Sequence, residues 1–195
     1  MIKYTISVIL LTLAACMVQQ FLPAIGGLYG ARVLILALVF LCAAVSVDFA
    51  TMLLLAFICG FLWDAQNALG PPGGNPDIYT DPVEPLRFGY SIVLYAMMGL
   101  IMQGIQPLFK KGKWHISSLL AGISIFLYLF SEYLLINFWR GDFVFPQTVF
   151  YRIYLTSALT MLFSPLIFWL IFQLASSCHH TIRYEGLRKK PRYID

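Results

Sequence analysis

Residues 57–64 read FICGFLWD and end an apolar run, and residues 88–104, FGYSIVLYAMMGLIMQG, form the next one. The segment between the two runs is polar and rich in proline and glycine, with Asp64 at its start and Arg87 at its end. Hydrophobic stretches of membrane length on either side of a polar segment predict a helical hairpin.

The composition of the whole chain indicates an all-α integral membrane protein. Of its 195 residues, 60% are hydrophobic and 11% are charged, whereas about 25% of residues are charged in soluble domains. No segment outside the apolar runs is long enough to form a soluble domain. Any function must therefore reside in the helix bundle, its loops or its partners.

The spacing of the apolar runs predicts a bundle of six transmembrane helices. A helix needs about 20 apolar residues to cross a hydrocarbon core of about 30 Å. A single helix over residues 33–63 would be about 46 Å long with Asp48 at its centre, which fits no bilayer, so a tight turn is expected near Ser46 and Asp48; a partly re-entrant pair of helices is the alternative. The expected helices cover residues 4–22, 33–47, 49–63, 88–106, 114–136 and 147–174, with an outer loop at 64–87 and a basic tail at 178–195.

The distribution of lysine and arginine predicts the orientation of this bundle. If the N-terminus is inside, nine basic residues fall on the inner side and four on the outer side. Cytoplasmic loops carry an excess of basic residues, so both termini are expected in the cytoplasm. The inner residues are Lys3, Lys110, Lys111, Lys113, Arg183, Arg188, Lys189, Lys190 and Arg192, and the outer ones are Arg32, Arg87, Arg140 and Arg152.

The first apolar run has a feature of bacterial lipoprotein signals, the stretch Leu13-Ala14-Ala15-Cys16. The hydrophobic run continues past Cys16, which favours an uncleaved helix. The four cysteines have the spacing of neither a disulfide framework nor a metal site.

Residues 60–64 and 86–89 resemble a motif of the rod shape-determining protein MreD family. In this chain Gly60, three apolar residues and Asp64 end the third helix, and Leu86, Phe88 and Gly89 open the fourth. The chain length, the short second and third helices and a basic loop after the fourth helix are also similar. The loop between the two motif halves is longer here than the tight glycine-rich turn of the family.

This resemblance implies a non-enzymatic scaffold subunit of the bacterial cell-wall elongation complex, in the cytoplasmic (inner) membrane. The implied partner is MreC, with MreB, RodA and its class B transpeptidase in the same complex and the lipid bilayer around it. The resemblance also implies a six-helix fold similar to the substrate-binding subunits of energy-coupling factor vitamin transporters. No cofactor and no nucleic acid are expected to bind.

Two pairs of charged residues are the candidate sites. Asp64 and Arg87 lie at the outer ends of neighbouring antiparallel helices, where an ion pair would close the base of the loop; a contact with a partner protein is the other interpretation. Glu132 is about one turn inside the outer end of the fifth helix, and Arg152 enters at a similar depth on the sixth. An acid at that depth is expected to face the bundle and find a basic partner, or to bind a ligand or a proton.

The motifs of common enzymes are absent from the sequence. It contains no phosphate-binding glycine loop, no nucleophile elbow and no HExxH sequence. We therefore expect no catalytic residues. The alternative to a scaffold is the substrate-binding membrane subunit of a vitamin or small-molecule transporter, because the same six-helix layout would serve it.

Overall fold

The computed structural model describes residues 2–69, 88–106, 114–140 and 146–178, and this part of the chain is all-helical apart from its loops. Arg87, most of the outer loop and the basic tail lie outside the described residues. The helices are α1 (Ile2–Phe21), α2 (Ile35–Ser46), α3 (Phe49–Leu69), α4 (Tyr90–Gly104), α5 (Trp114–Arg140) and α6 (Gln147–Ser177), with a short 3₁₀ turn at Gly26–Leu28.

Four of the described helices are long and apolar enough to cross a membrane. They are α1, the Phe49–Gln66 part of α3, the Ile116–Trp139 part of α5, and α6. The helices α2 and α4 are apolar but shorter. At about 1.5 Å per residue, the 12 residues of α2 rise about 18 Å, well below the thickness of a hydrocarbon core. These four helices indicate a multi-pass membrane protein.

The helix α3 differs in length from the prediction. It was expected to end at residue 63, but it continues to Leu69. Ala65, Gln66, Asn67 and Ala68 follow Asp64 without a proline or glycine, so the backbone can extend the helix past the end of the apolar run. Hydropathy marks where a helix leaves the hydrocarbon, whereas glycine and proline mark where it stops.

The centre of the bundle is α2. All eleven residues from Leu36 to Ser46 are buried, and α2 contacts each of the other five helices. A helix that is apolar on every side has no face suited to water and belongs in a core. A two-residue break, Val47 and Asp48, separates α2 from α3.

Hydrogen bonds show which helix ends lie together. The Tyr4 hydroxyl donates to Ser46 Oγ at 2.6 Å, and Ser7 Oγ lies 3.8 Å from Cys178 Sγ. We call the end of the bundle with Tyr4, Ser46 and Cys178 the terminal end, because the first and last helices begin and finish there. The opposite end, which contains Gln19 and Asp64, is the distal end.

Candidate functional site

Four of the five sequence-predicted site residues that the structure describes come together at the distal end of α3, α4 and α5, and the fifth, Arg152, lies on α6. Gly60 and Asp64 lie on α3, Gly89 directly precedes α4, and Glu132 lies on α5. We call this group, together with Trp63, the distal site.

Asp64 connects α3 to the start of α4. Its side chain is 5% exposed, and its Oδ2 accepts a hydrogen bond from the backbone N–H of Gly89 at 2.7 Å. Gly89 is the N-cap residue of α4 and has a φ of 105°, a conformation that disfavours residues with a Cβ atom. A carboxylate at this position also interacts favourably with the positive end of the α4 dipole.

Gly60 lies one helical turn before Asp64, on the same face of α3. A Cβ atom at Gly60 would lie 2.6 Å from the backbone nitrogen of Ile92, which belongs to the first turn of α4. Only a glycine allows the two backbones to come this close. Gly60 and Asp64 thus hold the start of α4 at two points, one by close approach and one by a hydrogen bond.

Glu132 is half-buried and faces α3. The indole Nε1 of Trp63 donates to Glu132 Oε1 at 3.5 Å, the long limit of a hydrogen bond. The positive charges of Arg32 and Arg152 act on this carboxylate favourably, and the negative charge of Asp64 acts on it unfavourably. The carboxylate therefore lies in the electrostatic field of a second acid and two arginines from three other parts of the chain.

Aromatic rings connect the distal site to the central helix. Trp63 meets Tyr128 edge to face at 6.4 Å, Tyr128 lies 5.2 Å from Tyr95, and Tyr95 meets Phe40 of α2 at 5.1 Å. The Tyr95 and Tyr128 hydroxyls are both buried. This series of rings runs from Trp63 in the distal site to Phe40 of α2.

The structure changes the interpretation of two predicted site residues. Asp64, which was expected to pair with Arg87, accepts a backbone N–H; Arg87 lies outside the described residues, so a contact between them stays a prediction. Glu132, which was expected to find a basic partner, has the Trp63 indole as a hydrogen-bond donor, with Arg152 acting on it electrostatically from α6.

Sequence reasoning missed three residues that act at this end. Trp63 was counted only among the three apolar residues between Gly60 and Asp64, and Arg32 only among the outer charges. Gln66 Nε2 donates to Cys16 Sγ at 2.8 Å and to the Cys16 carbonyl at 3.3 Å, which fixes α3 to α1. The signal for Gln66 was an amide immediately beyond an apolar run, but hydropathy does not indicate which helix it meets.

A separate cavity of about 330 Å³ lies between the distal parts of α5 and α6 and is open to one side. Most of its lining is apolar or aromatic. The lining residues are Phe130, Tyr133, Pro146, Gln147, Val149, Phe150, Tyr151 and Ile153.

Among the described residues, no group of three or more histidine, cysteine or acidic side chains is arranged to hold a metal ion. No family model, no curated protein and no solved structure matches this chain. Its function is therefore inferred from its residues and their geometry.

Proposed function

We propose that this chain is a non-catalytic scaffold subunit of the bacterial cell-wall elongation complex in the cytoplasmic membrane, with MreC as its direct partner. In that complex it would support peptidoglycan synthesis and cell shape, alongside MreB, RodA and a class B transpeptidase. The basis for the partner is the resemblance of residues 60–64 and 86–89 to the MreD family.

One observation supports this proposal above the others: the described motif residues form the joint between two helices. Gly60 contacts the α4 backbone closely, and Asp64 bonds to Gly89. A carboxylate that accepts a hydrogen bond from a helix N-terminus holds the start of that helix in place. Such a rigid α3–α4 pair is what a subunit needs in order to present a constant face to a partner.

The proposal includes six membrane crossings with both termini in the cytoplasm, in a fold similar to the substrate-binding subunits of energy-coupling factor transporters. The proximity of Ser7 to Cys178 supports an even number of crossings. Near the two chain termini and in residues 110–113 the sequence carries nine of its basic residues, a distribution that supports cytoplasmic termini. The short helices α2 and α4 would cross together with the segments that flank them.

The test is affinity purification of the tagged protein from native membranes in mild detergent, followed by mass spectrometry. We expect a bitopic coiled-coil protein and the wall-synthesis enzymes to be recovered. A Gly60→Val variant should lose them, because it separates α3 from α4, whereas Gly104→Ala should retain them, since a Cβ atom at Gly104 meets nothing within 4 Å. Recovery of a transmembrane coupling protein with paired ATPases would overturn the proposal.

A second function, binding of a small molecule for transport, is favoured by the cavity between α5 and α6. Its volume of about 330 Å³ lies at the lower end of the range for ligand pockets, about 300–1,000 Å³. Such pockets usually enclose most of the ligand, and this one is open to one side. A small organic molecule that stays with the purified wild-type protein and is lost from Phe150→Ala would support transport; its absence from both would exclude this function for the cavity.

A further inference from the structure

The loop between α1 and α2 is unusually apolar for a segment at the end of a bundle. Residues 22–31 read LPAIGGLYGA and contain no charged side chain. Ile25, Leu28 and Tyr29 are 41%, 36% and 53% exposed, respectively. Loops that face water are normally built from polar residues, so these side chains indicate a less polar environment.

The backbone of this loop satisfies many of its polar groups within itself. Ile25 donates to the Ala31 carbonyl at 2.9 Å, Ala31 donates to Leu28 at 2.9 Å, and Leu28 and Gly30 donate to Ile25 at 3.0 and 3.2 Å. Left-handed conformations at Tyr29 and Gly30 allow the chain to fold back on itself. Unpaired backbone groups are costly wherever water is scarce, so a loop that pairs its own groups can enter such a region.

The position of the loop places it beside the lipid-facing surface of the bundle. Tyr29 stacks on Tyr151 of α6, with ring centroids 5.7 Å apart. Val18 and Phe21, near the end of α1 that leads into the loop, are also exposed and apolar. Tyrosine is enriched where the hydrocarbon meets the headgroups, which fits the exposed Tyr29.

We propose that residues 22–31 lie within the headgroup layer of the leaflet at the distal end, with Ile25, Leu28 and Tyr29 in contact with lipid. The partner of this surface is the bilayer itself. The loop thereby anchors the distal end of the bundle at a fixed depth and lets the short helix α2 begin inside the membrane. This inference needs a multi-pass bundle and is independent of the elongation complex.

Nitroxide accessibility measures the depth of the loop directly. The spin label is attached to Leu28→Cys on a Cys178→Ser background, because the described cysteines other than Cys178 are buried. The protein is reconstituted in phospholipid vesicles, and collisions are measured with oxygen, which concentrates in lipid, and with a water-soluble nickel chelate. Leu10→Cys, on the exposed face of α1, is the lipid reference, and Asp48→Cys, in the exposed turn before α3, is the reference for a polar position.

We expect the ratio of oxygen to nickel collisions at residue 28 to be clearly above that at residue 48 and below that at residue 10, which lies near the middle of α1. A ratio at or below that of residue 48 would place the loop in water and overturn the proposal. Low collision rates with both reagents would overturn it too, because protein would then cover the loop. If Leu28→Cys does not fold, the same collision ratio can be measured at Gly27→Cys, since a Cβ atom there meets nothing within 4 Å.

Discussion

At the scale of single residues, Asp64 has a function that its charge alone does not reveal. An acid at the end of an apolar run suggests an ion pair, yet its Oδ2 accepts the N–H of the residue that caps α4. The first N–H groups of a helix lack partners within the helix, and here a side chain from the preceding helix supplies one. The same atom therefore stabilises the α4 terminus and fixes the angle between two helices.

Replacing Asp64 tests this bond. A hydrogen bond to a charged group contributes about 1.5–3 kcal/mol, roughly twice that of a neutral pair. We expect Asp64→Ala to lose most of that stability and Asp64→Asn to lose about half of it, because asparagine keeps an oxygen acceptor. The measurement is the apparent melting temperature of the purified protein in detergent. Equal melting temperatures for the two variants and the wild type would contradict the assigned bond.

Arg87 can be compared in the same assay. If the predicted ion pair with Asp64 exists, the Asp64→Ala and Arg87→Ala changes will be less than additive in a double-mutant cycle. Strictly additive effects of the two changes would mean that Arg87 does not pair with Asp64. The partner of Asp64 would then be the backbone N–H of Gly89.

Gly60 gives a prediction of steric origin. A larger side chain would collide with the backbone of Ile92, and overpacking of this kind costs about 1–3 kcal/mol. We expect Gly60→Val to lower the apparent melting temperature. Gly104→Ala is the matched control: it adds a Cβ atom in open space and should be neutral or slightly stabilising, since alanine favours helix more than glycine does. A harmless Gly60→Val would mean that α3 and α4 are not in close contact there.

At the scale of elements, the central helix α2 depends on side chains from its neighbours. Both of its ends lie inside the bundle, where unpaired N–H and C=O groups are costly. Gln19 of α1 accepts from Ile35 at 2.6 Å and from Leu36 at 3.4 Å and donates to the Val33 carbonyl at 2.9 Å. The remaining contacts are made by Thr160, which accepts from Leu34, and by Gln103 and Gln106, which donate to the carbonyls of Val47 and Val45.

The pair Gln19 and Gln20 provides a test of this capping with a built-in control. Gln19 is buried and Gln20, next to it in the sequence, is exposed. Gln19→Leu would leave three backbone groups without their partner, and each such buried group costs about 1–3 kcal/mol. We expect a clearly lower apparent melting temperature for Gln19→Leu and little change for Gln20→Leu. Similar effects of the two variants would show that the amide of Gln19 does not cap α2.

The sequence predicted the existence of these helices better than their arrangement. Apolar runs bounded by proline, glycine and charge indicate where a helix forms, because hydropathy is local. They do not indicate that α2 is the one surrounded by the other five, since every run is apolar and burial depends on neighbours distant in sequence. The buried glutamines were visible as polar residues in apolar runs, which usually face the interior of a bundle. Their target, the two ends of one short helix, follows from three-dimensional packing alone.

The residues of the candidate site were likewise only partly predictable from the sequence. Asp64 and Glu132 stand out in the sequence because acids are costly in a membrane helix, whereas Gly60 was named from the motif. The partners Trp63 and Gly89 could not be derived, because each contact joins helices whose relative rotation the hydropathy pattern leaves open. Gly89 was named from a motif, and the structure gives its reason: a positive φ and an N–H that points to Asp64.

At the scale of the whole molecule, the fold makes a prediction about topology. The start of α1 and the end of α6 lie at the same end of the bundle, since Ser7 and Cys178 are neighbours. Of the 13 basic residues, one is Lys3, three lie in residues 110–113 and five in residues 183–192, and positively charged loops remain in the cytoplasm. We therefore expect epitope tags at the N- and C-termini to be inaccessible to antibody or protease in intact spheroplasts and accessible after permeabilisation. One accessible and one protected tag would contradict the even number of crossings. Two accessible tags would keep the bundle and reverse its orientation, because the terminal end would then face outward.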